Sequence, residues 1–239
     1  MTAVPHEQMN EQQLADYLHM DLREVRKLAS RGQLPCRKVG GEFVFRKGDV
    51  DHWVEARMGA LDRHRLAKIE KGVRAHHGMA HGEPEVCPLI PDGGIAVPLE
   101  SKTREAALRG LIALAEDCGV VYNREDLLKE IREREDLCST ALAPGVAMPH
   151  PRHPLPYDIA ESFLVVGLTS KGIPFGAEDG TLTRLFFLIC CKDDGTPLHV
   201  LARLARMLHS QAIIDEFLAA ETPEELRALL KKEEEALIE

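Results

Sequence analysis

The chain has 239 residues, 44% of them hydrophobic and 29% charged, a balance that excludes collagen-like and largely disordered chains. The longest nearly apolar run, Leu185 to Cys191, falls far short of the roughly 20 residues that span a bilayer, and the start shows no charged-then-apolar secretion signal, so the reading is of a cytoplasmic chain without membrane insertion. The formal charge of −9 is uneven, with residues 1–80 at +3 and the rest at −12, which leaves a nucleic-acid surface plausible only near the start of the chain.

In chain order, Asn10 with Gln13 reads as a capping box before a helix carrying Leu14 and Leu18, and Asp21 with Glu24 repeats it before Leu22, Val25 and Leu28. Two short helices joined by His19-Met20-Asp21, the second stopped at Gly32, have helix-turn-helix spacing. Arg23, Arg26, Lys27 and Arg31 stand off the apolar stripe of the second helix and form a cationic face suited to a major groove. Residues 37–46 then read as two short strands around Gly40-Gly41, a hairpin that can act as a wing, and Asp49 is expected to cap a third helix with Val50, Trp53 and Val54.

The stretch from Leu14 to Val54 resembles the excisionase-type, MerR-like winged helix-turn-helix module. That resemblance implies DNA contacts from Arg23, Arg26 and Lys27 in a groove and from Arg37, Lys38, Arg46 and Lys47 in the wing. A lone module neutralises few phosphates and reads few base pairs, so specific binding implies a homodimer. Modules of this kind also serve as protein docking units, and a balance of +3 leaves that alternative open.

Leu61 to Lys71 is polar and helix-permissive, so the first domain is placed at residues 8–71. Gly72 to Pro98, rich in Gly, Pro and His, is placed as a linker. His76, His77, His81 and Cys87 fall there at irregular spacing, which reads as solvated linker rather than a metal cluster. Six scattered cysteines with no Cys-x-x-Cys pair point to reduced thiols.

Residues 99–239 form the second domain. Leu108, Leu111, Ile112 and Ala115 repeat at helical spacing, and Asn123 caps a helix through Leu127, Leu128 and Ile131. Ser162–Leu168 and Leu185–Cys191 read as buried strands joined by a turn-rich loop. Leu198–Leu208 reads as a helix, and Thr222-Pro223-Glu224-Glu225 opens the last one. The expected fold is therefore α/β (α+β) in two domains, a small winged helix-turn-helix followed by a layered α/β domain with a mixed central sheet flanked by helices.

Four pieces of the second domain carry chemistry: Arg134-Glu135 with Ser139-Thr140; Gly145-Val146-Ala147-Met148-Pro149-His150; Phe175-Gly176-Ala177-Glu178-Asp179-Gly180; and His199-Val200-Leu201-Ala202-Arg203-Leu204-Ala205. Their order and spacing resemble the type-2 enzyme IIA domain of the phosphoenolpyruvate phosphotransferase system, the fructose/mannitol and nitrogen-type group. The resemblance implies His150 as phosphoryl acceptor, His199 as its neighbour and Arg134 as the cation of the pocket; no metal or cofactor is expected. It also implies an HPr-type phosphocarrier as donor and a IIB component or regulated protein as acceptor.

These residue types suit the reaction. An imidazole of ordinary pKa, about 6.5, is largely unprotonated at neutral pH and so nucleophilic. Phosphoryl transfer then needs positioning and charge stabilisation, which a guanidinium fork supplies. Pro149 and Pro151 stiffen the backbone on either side of His150. Pro144 and Pro151 depart from the family pattern, in which a polar residue often stands six before the histidine and Gly follows it. Three functions follow: a DNA-binding regulator switched by phosphorylation, a sugar-specific relay to a IIB partner, or a docking regulator that does not touch DNA.

Overall fold

A computed structural model describes residues 7–79, 85–142, 144–192 and 196–238. Its contacts divide the chain into two units, one comprising Met1–His81 with Leu198–Arg206 and the other Gly82–Pro197 with Met207–Glu239.

The first unit opens with strand β1 (Gln8–Met9) and helix α1 (Glu11–Tyr17). The Asn10–Gln13 capping box forms in both directions, each bond 2.8 Å long. After α1 the chain reverses through His19, whose φ of 49° is the left-handed conformation a tight turn requires. Helix α2 (Leu22–Ser30) follows. Asp21 caps it by accepting from the Arg23 amide at 2.7 Å, one residue earlier than the Glu24 amide that a capping box would use. Gly32, at φ 67°, ends the helix as expected.

Strands β2 (Arg37–Val39) and β3 (Glu42–Arg46) pair antiparallel across Gly40 and Gly41, both at positive φ, the conformation that a two-residue hairpin turn demands. β1 pairs with the other edge of β3, a two-residue strand too short to show a sequence pattern. Helix α3 (Lys47–Glu55) leaves β3 directly, so Arg46 occupies the cap position without a side-chain bond and Asp49 lies in the first turn instead of capping. Helix α4 (Arg63–His76) is capped by Asp62, which accepts from the Arg65 amide at 2.8 Å.

Helix α4 outlasts the helix-permissive stretch by several residues, and Gly72 is the reason it can pack where it does. A Cβ at Gly72 would lie 2.3 Å from the Tyr17 carbonyl oxygen, so only glycine lets α4 rest against the end of α1. The first residues of the expected linker are thus the last turn of α4, and His76 meets Glu7 at 3.1 Å. His81 lies outside the described residues.

Glu70 of α4 is buried and binds Arg203 through both Nε, at 2.8 Å, and Nη2, at 2.5 Å, and it also binds Arg206. Both arginines belong to helix α7 (Thr196–Met207), whose Leu198–Arg206 segment clusters with this first unit.

In the second unit the far end of the expected linker is also ordered. Strand β4 (Ile95–Ala96) pairs parallel with strand β6 (Phe163–Ile173). Ahead of β4, the amides of Glu85, Val86 and Cys87 donate to the Glu234 carboxylate at 2.6–2.9 Å. Among the described residues the sheet runs β4-β6-β7-β5, with strand β7 (Thr183–Cys190) antiparallel to β6 and strand β5 (Val146–Ala147) parallel to β7. The sheet is mixed, as expected.

Residues 163–169 of β6 and 185–190 of β7 are buried at successive positions, which matches strands covered on both faces. Helices α5 (Arg104–Asp117) and α6 (Arg124–Leu137) pack Leu108, Leu111, Ile112, Leu127 and Ile131 into a core with Phe163, Val165, Phe186 and Leu188. Helices α8 (Gln211–Leu218) and α9 (Pro223–Ile238) complete the unit, α9 opening with the Glu225 amide bonded to Thr222 Oγ1 at 3.2 Å. No helix among the described residues is long and apolar enough to cross a membrane.

Candidate functional site

His150 lies just beyond β5, where the chain still follows β7: the Ile189 amide donates to the Pro149 carbonyl at 3.0 Å. Its ring is tied back to the chain just after β5, with Nδ1 2.8 Å from the Met148 carbonyl oxygen. A carbonyl only accepts, so this contact places the proton on Nδ1 and leaves Nε2 with its lone pair. Arg134, in the last turn of α6, donates from Nε to that Nε2 at 3.2 Å and from Nη1 to the Cys138 carbonyl at 3.0 Å. Imidazole and guanidinium therefore face each other across one hydrogen bond, with His150 4% exposed and Arg134 2% exposed.

Several supporting residues give the sequence motif its physical meaning. Glu135 is buried and accepts from the Thr140 amide at 2.9 Å, from the Thr140 hydroxyl, and from Arg104 Nη2 at 3.2 Å. Burial holds its carboxyl above the ordinary carboxylate range, with the Thr140 bonds and the nearby Arg104 and Arg134 charges opposing the shift. The Met148 amide donates to the Thr140 carbonyl at 3.0 Å.

Ser139 Oγ donates to the Phe175 carbonyl at 3.0 Å, and a Cβ at Gly176 would stand 3.1 Å from Ser139 Cβ at a φ of 106°. Gly176 permits that close approach, which joins the Phe-Gly-Ala motif to the Ser-Thr motif. Arg104 also sits over the Phe175 ring at 5.6 Å. Sequence reasoning did not assign these roles to Glu135, Thr140 and Arg104. The first two stand inside the recognised motif, whereas Arg104 opens a different helix and carries no local signal.

His199 is buried near the start of α7, in the segment that clusters with the first unit. His153 is exposed and contacts Glu130 at 3.3 Å. Pro144 is exposed in the turn before β5, and Pro151 is half-buried.

On the helix-turn-helix, Arg23, Arg26 and Lys27 are exposed along α2. Arg26 is already bonded to Glu11 at 2.7 Å. Arg37 and Lys38 are exposed in the wing, and Arg46 is half-buried. Lys47 corrects the expectation of a wing contact: it is 5% exposed, binds Asp51 at 2.8 Å and sits over the Tyr17 ring. Placed at the first turn of α3, its ammonium turns into the small core to neutralise Asp51 instead of pointing outward.

Comparison with known proteins gives matches on both units. The family described as phosphoenolpyruvate-dependent sugar phosphotransferase system, EIIA 2, matches residues 89–233, and the family described as helix-turn-helix domain matches residues 9–58. A fructose-specific EIIA component from Haloferax volcanii is 27% identical over 148 residues, which cover 61% of this chain and 94% of that protein. A fructose-specific EIIABC component from Bacillus subtilis is 26% identical over 140 residues, 58% of this chain but only 22% of that protein. Among solved structures, the nitrogen regulatory protein IIA-Ntr from Neisseria meningitidis aligns with a TM-score of 0.54 and 26% identity, covering 60% of this chain and 97% of that one.

Proposed function

Because the chain belongs to the phosphoenolpyruvate-dependent sugar phosphotransferase system EIIA 2 family, we propose that His150 accepts a phosphoryl group from an HPr-type phosphocarrier and that this cytoplasmic chain couples its phosphorylation to DNA binding by the helix-turn-helix unit. The observation that carries the reading is the imidazole itself: Nδ1–H is anchored on the Met148 carbonyl and the Nε2 lone pair faces a guanidinium at 3.2 Å.

In the transfer, the Nε2 lone pair forms the new N–P bond as the P–N bond of the donor phosphohistidine breaks, and that bond's electron pair returns to the donor ring. Nδ1 keeps its proton throughout. Arg134 Nε–H releases Nε2 as the phosphorus approaches and then pairs with the phosphoryl oxygens, where a fixed cation lowers the energy of a loose transition state. The resemblance assigns His199 a supporting role in the transfer. The added negative charge, up to about two units, is large enough to bias docking or DNA affinity.

Incubation with phosphoenolpyruvate, enzyme I and HPr, followed by phosphate mapping at alkaline pH, tests this reading. Phosphate on His150 that disappears in His150→Ala is the expected result, and phosphate elsewhere or none refutes it. The DNA arm is read by salt: affinity for duplex DNA should fall steeply between about 50 and 200 mM salt.

One observation favours a relay to a IIB partner instead. The Bacillus subtilis relative is named as an EIIABC component, which joins the A part to B and C parts in one protein. Onward transfer from the phosphorylated chain to a IIB protein, without any effect on DNA affinity, would select that reading. The interior position of Lys47 and the Arg26–Glu11 pair reduce the cations on offer to phosphates, which favours a docking role if duplex affinity proves independent of salt.

A further inference from the structure

We propose that Glu135 is a positioning residue for phosphoryl acceptance, acting on His150 through Thr140 and Met148, a role that rests on His150 being the acceptor. The connection is continuous. Glu135 holds both the amide and the hydroxyl of Thr140, the Thr140 carbonyl accepts from the Met148 amide at 3.0 Å, and the Met148 carbonyl accepts from His150 Nδ1–H at 2.8 Å.

The last of these bonds selects the tautomer that leaves Nε2 nucleophilic. Glu135 is itself held from outside by Arg104 Nη2 at 3.2 Å, so its carboxyl is fixed at two ends. The same carboxyl governs the cation. By fixing Thr140 it fixes the short segment from Cys138, whose carbonyl receives Arg134 Nη1 at 3.0 Å. One buried acid, its side chain fully enclosed, thus sets both partners of the reaction without touching either reacting atom.

Removing it leaves the Thr140 amide and hydroxyl without their acceptor at a position 4% exposed. The segment then relaxes toward other partners, and the Met148 carbonyl no longer has a fixed direction. The expected loss is that of a supporting shell, about 10- to 100-fold in rate.

The test uses the full chain labelled with ¹⁵N-histidine, comparing wild type with Glu135→Ala and Glu135→Gln. Long-range ¹H–¹⁵N correlations at pH 8 report the His150 tautomer, and phosphate uptake from phospho-HPr reports the rate. Wild type should show a single Nδ1–H tautomer. Glu135→Ala should show mixed tautomers and an uptake rate lowered about 10- to 100-fold.

Glu135→Gln keeps an acceptor for Thr140 but sets an amide N–H₂ or a neutral oxygen against Arg104, so it should lie between the two. It decides the matter if the alanine variant does not fold. Leu226→Val, a core change in α9, should lower the melting temperature without moving the tautomer. A wild-type Nε2–H tautomer overturns the proposal, as does a variant that keeps both the wild-type tautomer and an uptake rate within twofold. If wild type takes up no phosphate while Glu135→Ala still shifts the tautomer, the acceptor reading fails and the positioning geometry stands.

Discussion

Replacing Arg134 changes the rate in a way that can be worked from the geometry. Its Nε stands 3.2 Å from the nitrogen proposed to accept phosphorus, so phosphoryl oxygens bonded there would come within about 4 Å of the guanidinium. At that distance and an effective dielectric near 20, the direct attraction is about 4 kcal/mol, part of which is lost to solvation. Charge-assisted hydrogen bonds contribute about 1.5–3 kcal/mol net, so Arg134→Ala should lower transfer about 10- to 150-fold. Arg134→Lys keeps the charge but cannot reach both the Cys138 carbonyl and the phosphoryl group with one point donor, so it should recover only part of that loss. Single-turnover transfer of ³²P from phospho-HPr at limiting donor reads both variants, with circular dichroism checking the fold. A rate for Arg134→Ala within threefold of wild type would refute this account of the cation.

Three further outcomes follow from particular contacts. Glu70→Ala leaves Arg203 and Arg206 without their shared buried carboxylate and should cost about 3–5 kcal/mol locally, seen as faster hydrogen exchange in α4 and in Leu198–Arg206; unchanged protection there contradicts it. The Cys87 thiol, pushed up to about 12 by burial and then by Glu234, is almost entirely protonated at pH 8. Allowing for the greater nucleophilicity of a basic thiolate, it should alkylate about 50-fold more slowly than a small thiol of pKa near 8.5, as quantified by mass spectrometry. Glu135 binds its proton more tightly folded than unfolded, so its contribution to stability is fully present below the ordinary carboxylate pKa and is lost as pH rises through the raised folded value. The stability of wild type relative to Glu135→Gln should therefore fall across that window in urea titrations at stepped pH, and a flat or rising difference would be contrary to it.

Elements whose residues act locally were readable in the sequence. Asn10 with Gln13, Asn123, Gly32 and the Gly40-Gly41 turn each cap or reverse the chain as their chemistry requires. The apolar runs of β6 and β7 are strands because both faces are covered. Features that depend on distant partners were not readable. β1 and β4 are two-residue strands defined only by the neighbour they pair with, and the packing of α4 on α1 depends on Gly72 meeting Tyr17. Lys47 looked like a surface cation until its Asp51 partner was in place. At the site, the family resemblance pointed to His150 and Arg134, which share a hydrogen bond. The carbonyl that fixes the His150 tautomer belongs to Met148, whose side chain gives no hint of the role.

The most direct measurement is the position of the phosphate after incubation with phosphoenolpyruvate, enzyme I and HPr, fragmented and mapped without acid. The account predicts a phosphoryl group on Nε2 of His150 in wild type and none in His150→Ala. Phosphate on Nδ1, on another residue, or undiminished in His150→Ala would contradict it.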